Sequence, residues 1–207
     1  MLTKLKEKVQ QMLTVEAKVA HKIGLTPNTT SVIGIALAFL SALAYAEWQN
    51  RPAYLLIAAV LLLLSGFCDA LDGVLARLYQ QTTTFGGFLD SLLDRYADAA
   101  VYMGIIVGGL CDALWGLIAL TGSLLVSYSR ARAEAAGIKM ESIGLAERAE
   151  RIIILAIASI AAFFWKLETD LFWQPINIGV IVLAILSNLT VLQRSIYAYK
   201  KLKKTGN

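Results

Sequence analysis

Residues 69–94 read Asp69-Ala70-Leu71-Asp72-Gly73-Val74-Leu75-Ala76-Arg77, then eight residues, Gly86, three more, and Asp90-Ser91-Leu92-Leu93-Asp94. Four carboxylates, one arginine and two glycines thus stand at fixed spacings between long apolar stretches. The acids fall at i, i+3 and at i, i+4, so each pair shares one face of its own helix. The intervening segment 78–85 is short, which predicts that the two helices run antiparallel as neighbours and bring both pairs to one depth. Ionisable groups at membrane depth are costly unless something of opposite charge meets them. An all-oxygen cage of this kind suits a hard cation such as Mg²⁺ or Mn²⁺.

The chain outside this stretch is apolar. At 207 residues and 57% hydrophobic, with mean hydropathy +0.63, it reads as an all-α integral membrane protein. A spanning helix needs about 20 apolar residues. Six segments qualify, at 29–48, 53–77, 86–110, 112–134, 145–166 and 172–197. Pro52 and Pro175 lie near expected helix starts, where proline is tolerated. The run Ala42-Leu43-Ala44-Tyr45-Ala46 resembles a signal-peptidase site, but about 28 residues precede the apolar segment and five more apolar segments follow, so an uncleaved helix is expected. Cys68 and Cys111 have no metal-ligand spacing and read as small buried hydrophobes.

Lysine and arginine set the orientation. With six spans, one side carries Lys4, Lys6, Lys8, Lys18, Lys22, Arg77, Arg130, Arg132, Lys139, Arg148, Arg151, Arg194, Lys200, Lys201, Lys203 and Lys204, against Arg51 and Lys166 on the other. The positive-inside bias puts both termini and the acidic motif at the cytoplasmic face of a multi-pass protein of the cell membrane. An anionic leaflet accounts for the basic ends without any nucleic acid. Residues 1–22 form a separate juxtamembrane element, in which Leu2, Leu5, Val9 and Met12 or Leu13 recur at helical spacing between lysines. That pattern predicts an amphipathic interfacial helix, followed by a membrane domain over 23–207. His21, the one histidine, is expected to be structural.

The pattern D-x2-D-G-x2-A-R-x8-G-x3-D-x3-D, carried by Asp69, Asp72, Gly73, Ala76, Arg77, Gly86, Asp90 and Asp94, resembles the signature of the CDP-alcohol phosphatidyltransferases, membrane enzymes of phospholipid synthesis. The resemblance implies one or two Mg²⁺ or Mn²⁺ ions on Asp69, Asp72, Asp90 and Asp94, with Asp94 also acting as general base. It implies a CDP-lipid donor that loses CMP, bound by Asn28, Asp69, Gly73, Ala76, Arg77 and Gly86. Asn28 could instead cap a helix. Family members are typically homodimers, and Gly104-Ile-Ile-Val-Gly108 would suit close helix approach between subunits or within one.

The acceptor is read from arginines. Arg130, Arg132, Arg148 and Arg194 lie at ends of the fourth to sixth segments on the acidic side, and a cluster next to a metal site suits a phosphate. The run Ser127-Tyr-Ser-Arg130-Ala-Arg132-Ala-Glu134 resembles the inositol-phosphate-using branch; glycerol 3-phosphate is the alternative acceptor. Asp98, one further i+4 step along the Asp90–Asp94 face, reads as a partner of Arg95 or of the backbone, or as part of the acceptor pocket. Two competing readings are a structural cluster of aspartates paired with Arg77 and Arg95, and a divalent-cation transporter. The first leaves Gly73, Ala76 and Gly86 without a reason. Transporters usually bind at the midplane of repeated halves, whereas here no repeat appears and the acids sit at one edge.

Overall fold

The computed structural model describes residues 13–140, 143–165 and 174–205. It is helical throughout: α1 over 13–22, then α2 Pro27–Ala46, α3 Tyr54–Leu78, α4 Thr84–Val107, α5 Ala113–Ala135, α6 Arg148–Phe164 and α7 Pro175–Thr205, with a 3₁₀ turn at Trp48–Asn50. The starts of α2, α4 and α5 carry side-chain caps. Thr26 and Thr29 form a reciprocal capping box ahead of Pro27 at the first helical position, and the Asp112 side chain accepts from the Leu114 and Trp115 amides. Asn28 is therefore one residue inside α2 and does not cap it.

α2 packs on both α3 and α4, α3 on α6, and α7 on α5 and α6. The expectation that α3 and α4 pack as neighbours needs correction: α2 contacts both, and the two acidic helices touch each other little. Between such helices small residues replace bulky ones, because lipid tails give apolar side chains no reason to leave them and close backbone approach provides the packing instead. Ala38, Ala58, Ala97, Ala119, Ala158 and Ala184 accordingly sit in the core with Leu55, Ile105, Val180 and Leu183. The 104–108 glycines belong to this packing. A Cβ on Gly104 would overlap the Ala42 backbone, and one on Gly108 the Tyr45 carbonyl oxygen, so both glycines are taken up by α2 within the monomer. Hydrogen bonds across helices reinforce the contacts, from Ser41 Oγ to the Ala58 carbonyl (2.8 Å) and between Tyr45 Oη and Ser159 Oγ (2.6 Å).

Apolar residues also face outward. Phe39 and Leu43 on α2, Ile57 and Val60 on α3, Ile153 and Ile157 on α6, and Ile185 and Leu189 on α7 are exposed, as a lipid-facing surface requires. Three helices among the described residues are long and apolar enough to cross a membrane by themselves: Pro27–Ala46, Tyr54–Leu78 and Pro175–Lys203. The other three depart from the six expected for physical reasons. α4 carries the charged residues Asp90, Asp94, Arg95 and Asp98 along its length. In α5, Gly116, Gly122 and Ser123 are buried small residues that dilute its hydropathy. α6 has 17 residues, which rise about 26 Å at 1.5 Å each.

The periodicity of Leu2, Leu5, Val9 and Met12 lies outside the described residues. In α1, Ala17 and Ala20 are buried with Leu71, Val74 and Leu75 of α3, and His21 stacks on Tyr79 with ring centroids 3.6 Å apart. His21 is thus a packing residue that ties α1 to the end of α3.

Candidate active site

Three aspartates converge where α2 crosses α3 and α4. One carboxylate oxygen each from Asp69, Asp72 and Asp90 lies within 4.8 Å of the other two. Asp72 is 5% exposed and accepts a 2.6 Å hydrogen bond from Ser31 Oγ of α2. Asp94, one turn beyond Asp90 and expected as a fourth ligand, is not grouped with the other three because its oxygens face arginines. Its Oδ1 is ion-paired with Arg148 Nη1, and its Oδ2 lies 3.4 Å from Arg95 Nη1. Arg148 Nη1 is also 2.7 Å from Asp69 Oδ1, and its Nε is 3.5 Å from Asp98 Oδ1. Asp98 pairs with Arg151 Nη2 at 2.7 Å, not with Arg95. The structural-cluster reading had Arg77 and Arg95 as the counter-charges; the pairing falls instead to Arg95, Arg148 and Arg151.

Charge accounting gives this arrangement a chemical meaning. Ion pairs reach Asp69, Asp94 and Asp98, and among the described residues none reaches Asp72 or Asp90. Five carboxylates face three guanidiniums, so the cluster has a formal excess of two negative charges. A buried excess of that size needs a counter-charge, and a divalent cation supplies it. The donors are all oxygens, which suits Mg²⁺ or Mn²⁺. Asp69, Asp72 and Asp90 fit such an ion.

A cavity opens on each side of the trio. The first, of about 220 Å³, is lined by Asn28, Ser31, Asp72, Gly73, Ala76, Arg77, Gly86 and Asp90 among others. It lies between the end of α3, the 81–83 link, the start of α4 and the start of α2. Its glycines are small for local reasons. A Cβ on Gly73 would stand 3.3 Å from Arg77 Nη1, so Arg77 folds over the bare turn. A Cβ on Gly86 would lie 2.9 Å from Thr83 Oγ1 and 3.5 Å from Asn28 Oδ1. Thr83 is the cap of α4 and accepts the Gly86 amide at 2.9 Å.

The second cavity, of about 270 Å³, is lined by Asp69, Asp94, Arg95, Asp98, Arg130, Glu147, Arg148, Arg151 and Arg194 among others. Of the four arginines expected around an acceptor phosphate, Arg130, Arg148 and Arg194 are here and Arg132 is not. Arg132 is exposed and two residues from Arg130, and helix positions two apart do not share a face. Arg130 is paired with Glu134 at 2.9 Å. Arg194, 3% exposed, donates from Nε to the Ile143 carbonyl at 2.7 Å and from Nη1 to that of Val126. With Thr190 Oγ1, which accepts from the Leu145 and Ala146 amides (3.0 and 3.2 Å), it pins the segment leading into α6. Sequence reading missed Ser31, and left Arg95 and Arg151 out of the acceptor set.

A helical membrane bundle whose all-oxygen acidic cluster borders a cavity of small residues and an arginine-rich one has the parts of a metal-dependent membrane transferase. The chain belongs to the CDP-alcohol phosphatidyltransferase family, whose model matches residues 24–194. It is 41% identical over 203 residues to the archaetidylinositol phosphate synthase of Pyrococcus horikoshii, covering 98% of this chain and 99% of that one. Among solved structures it is similar to Mycobacterium tuberculosis phosphatidylinositol phosphate synthase with CDP-DAG bound. The TM-score is 0.74 at 28% identity, over 91% of this chain and 94% of that one. The same enzyme in complex with manganese and citrate also matches at TM-score 0.74, over 90% and 88% of the two chains.

Proposed function

We propose that this chain transfers the lipid-bearing phosphate of a CDP-lipid, CDP-diacylglycerol or CDP-archaeol, to a hydroxyl of inositol phosphate and releases CMP. The observation that carries the reading is the pair of cavities on opposite sides of the aspartate trio, one with small residues and Arg77, the other rich in arginine. Relatives named archaetidylinositol phosphate synthase and phosphatidylinositol phosphate synthase support the acceptor.

The donor's cytidine diphosphate would lie in the first cavity along Gly73 and Ala76, with Asn28 and Gly86 at its rim, Asp72 and Asp90 at the acidic end and Arg77 forking onto phosphate oxygens, while Asp69, expected beside the donor, lines the other cavity. A divalent cation, Mg²⁺ or Mn²⁺, held by Asp69, Asp72 and Asp90 supplies charge neutralisation at the diphosphate. The acceptor's phosphate would meet Arg148, Arg130 and Arg194 in the second cavity, which leaves its hydroxyl directed at the acids. That hydroxyl oxygen bonds to the lipid-bearing phosphorus, the bond from that phosphorus to the CMP oxygen breaks, and the hydroxyl proton passes to Asp94. A carboxylate has about four lone-pair sites, so Asp94 can receive a proton while its oxygens face Arg148 and Arg95.

The bundle comprises six membrane-crossing helices, α2 to α7, in a domain over 23–207. α4 to α6 cross despite their polar residues because those residues face the site or the core or, like Arg132, Glu134 and Glu150, lie in end turns. α1 and the acids lie at the cytoplasmic face of the cell membrane, as the lysine and arginine distribution favours. The assembly is a homodimer, as the family resemblance implies, with an interface other than Gly104 and Gly108.

The test is CMP release by detergent-purified protein given CDP-diacylglycerol or CDP-archaeol with Mg²⁺ or Mn²⁺, each acceptor offered separately. Metal-dependent release with inositol phosphate is expected. Release with glycerol 3-phosphate alone would overturn the acceptor, and release with none would overturn the activity.

A further inference from the structure

We propose that Asp98 is a positioning residue that sets the two α6 arginines for the acceptor's phosphate. The inference rests on the reading of the arginine-rich cavity as the acceptor site.

Asp98 lies one helical turn past Asp94, with its side chain 13% exposed, and it gathers three groups from two other helices. Its Oδ2 takes Arg151 Nη2 of α6 at 2.7 Å and Ser123 Oγ of α5 at 3.1 Å. Its Oδ1 faces Arg148 Nε of α6 at 3.5 Å. Arg151 is held at its other end as well, where Nη1 donates to the Ala146 carbonyl at 3.2 Å. Asp98 therefore ties α4, which carries the reacting acids, to the helix that carries the phosphate-facing guanidiniums.

Arg148 shows why such a tie matters. Its Nε and Nη1 are buried, and neither makes a hydrogen bond of acceptable geometry in spite of the three carboxylates within ion-pair range. The guanidinium is thus held by charge more than by aligned bonds, and an anion in the cavity can realign it. A bidentate arginine contact depends on the plane of its fork. Without Asp98, Arg148 keeps only Asp69 and Asp94, both on the reacting side. Arg151 at the same time loses its carboxylate partner. The expected effect is selective: weaker use of a phosphorylated acceptor, with the donor and cation sites unaltered.

The test uses Asp98→Asn, which keeps the shape and removes the charge, and Asp98→Glu, which keeps the charge. In Asp98→Asn the KM for inositol phosphate should rise by roughly tenfold or more, as loss of a charge-assisted contact implies. The KM for CDP-lipid and the Mn²⁺ affinity, read by electron paramagnetic resonance, should stay within about twofold, inside the scatter of single-contact effects. Asp98→Glu should recover much of the loss, and Ser123→Ala should show a smaller change of the same kind. An inositol phosphate KM unmoved in Asp98→Asn, or equal rises for both substrates, would overturn the proposal. If Asp98→Asn does not fold, Ser123→Ala, which removes one partner of Asp98, decides. An acceptor KM above wild type with donor KM unchanged supports the inference, and an unmoved acceptor KM or equal effects on both refute it. Arg148→Ala separates the two levels of the account. If it leaves the acceptor KM unchanged, the cavity reading itself fails; if it raises that KM while Asp98→Asn does not, only the role of Asp98 fails.

Discussion

Ser31→Ala removes one hydroxyl from α2 and should weaken divalent-cation binding by about 10- to 100-fold, the range for lost outer-shell partners of metal ligands. The same figure follows from the contact. Ser31 Oγ donates to Asp72 Oδ2 at 2.6 Å, and Asp72 is 5% exposed with no ion pair among the described residues. A hydrogen bond to a charged group contributes about 1.5–3 kcal/mol, and about 1.4 kcal/mol is tenfold in a binding constant. The competing acceptor for this one proton, the Pro27 carbonyl of its own helix at 3.1 Å, contributes little to helix stability, so the variant should remain folded. Mn²⁺ titration followed by electron paramagnetic resonance reads the affinity directly. Metal dependence of CMP release should show the same shift, with saturating Mn²⁺ restoring most of the rate, and Ser31→Thr should retain near-native affinity. An unchanged Mn²⁺ affinity in Ser31→Ala would refute the claim that α2 orients Asp72 for the metal.

Asp90→Ala removes one of the three converging carboxylates and should abolish Mn²⁺ binding and CMP release together; retention of both would remove Asp90 from the cation site. Asp94→Asn should lower turnover by at least about 100-fold, the lower range for a lost general base, while CDP-lipid still binds; a normal rate would discard Asp94 as base. Arg148→Ala should raise the KM for inositol phosphate by about 10- to 100-fold, as loss of charged hydrogen bonds implies, and raise that for CDP-lipid far less. Gly104→Val forces a Cβ into the Ala42 backbone, and overpacking costs about 1–3 kcal/mol or more where the neighbour cannot move. Its thermal unfolding in detergent should shift down, and an unchanged midpoint would mean that α2 and α4 do not meet there.

Features that depend on local spacing were legible in the sequence. The segments 29–48, 53–77, 86–110, 112–134, 145–166 and 172–197 overlap α2 to α7, because apolar runs and helix-compatible spacing are read along the chain. Asp69, Asp72 and Asp90 could be assigned together because fixed spacing on two joined helices limits where they can meet. Relations across distant elements were not legible. Ser31 meets Asp72 across 41 positions and Arg151 meets Asp98 across 53, and no periodicity links such partners. Arg132 was placed by charge alone, whereas its two-residue offset from Arg130 turns it away from the cavity. The glycines at 104 and 108 marked close helix approach correctly, but a small-residue pattern does not say which helix comes close; here it is α2 of the same chain.

The central claim is that one cation site divides a nucleotide cavity from a phosphate cavity. Crystals grown with Mn²⁺, CDP-lipid and inositol phosphate, with data collected at the manganese absorption edge, test it most directly. The account predicts an anomalous peak among Asp69, Asp72 and Asp90, cytidine diphosphate beside Asn28, Gly73 and Gly86, and the acceptor's phosphate beside Arg148. Manganese bound away from those aspartates, or both ligands on the same side of them, would contradict it.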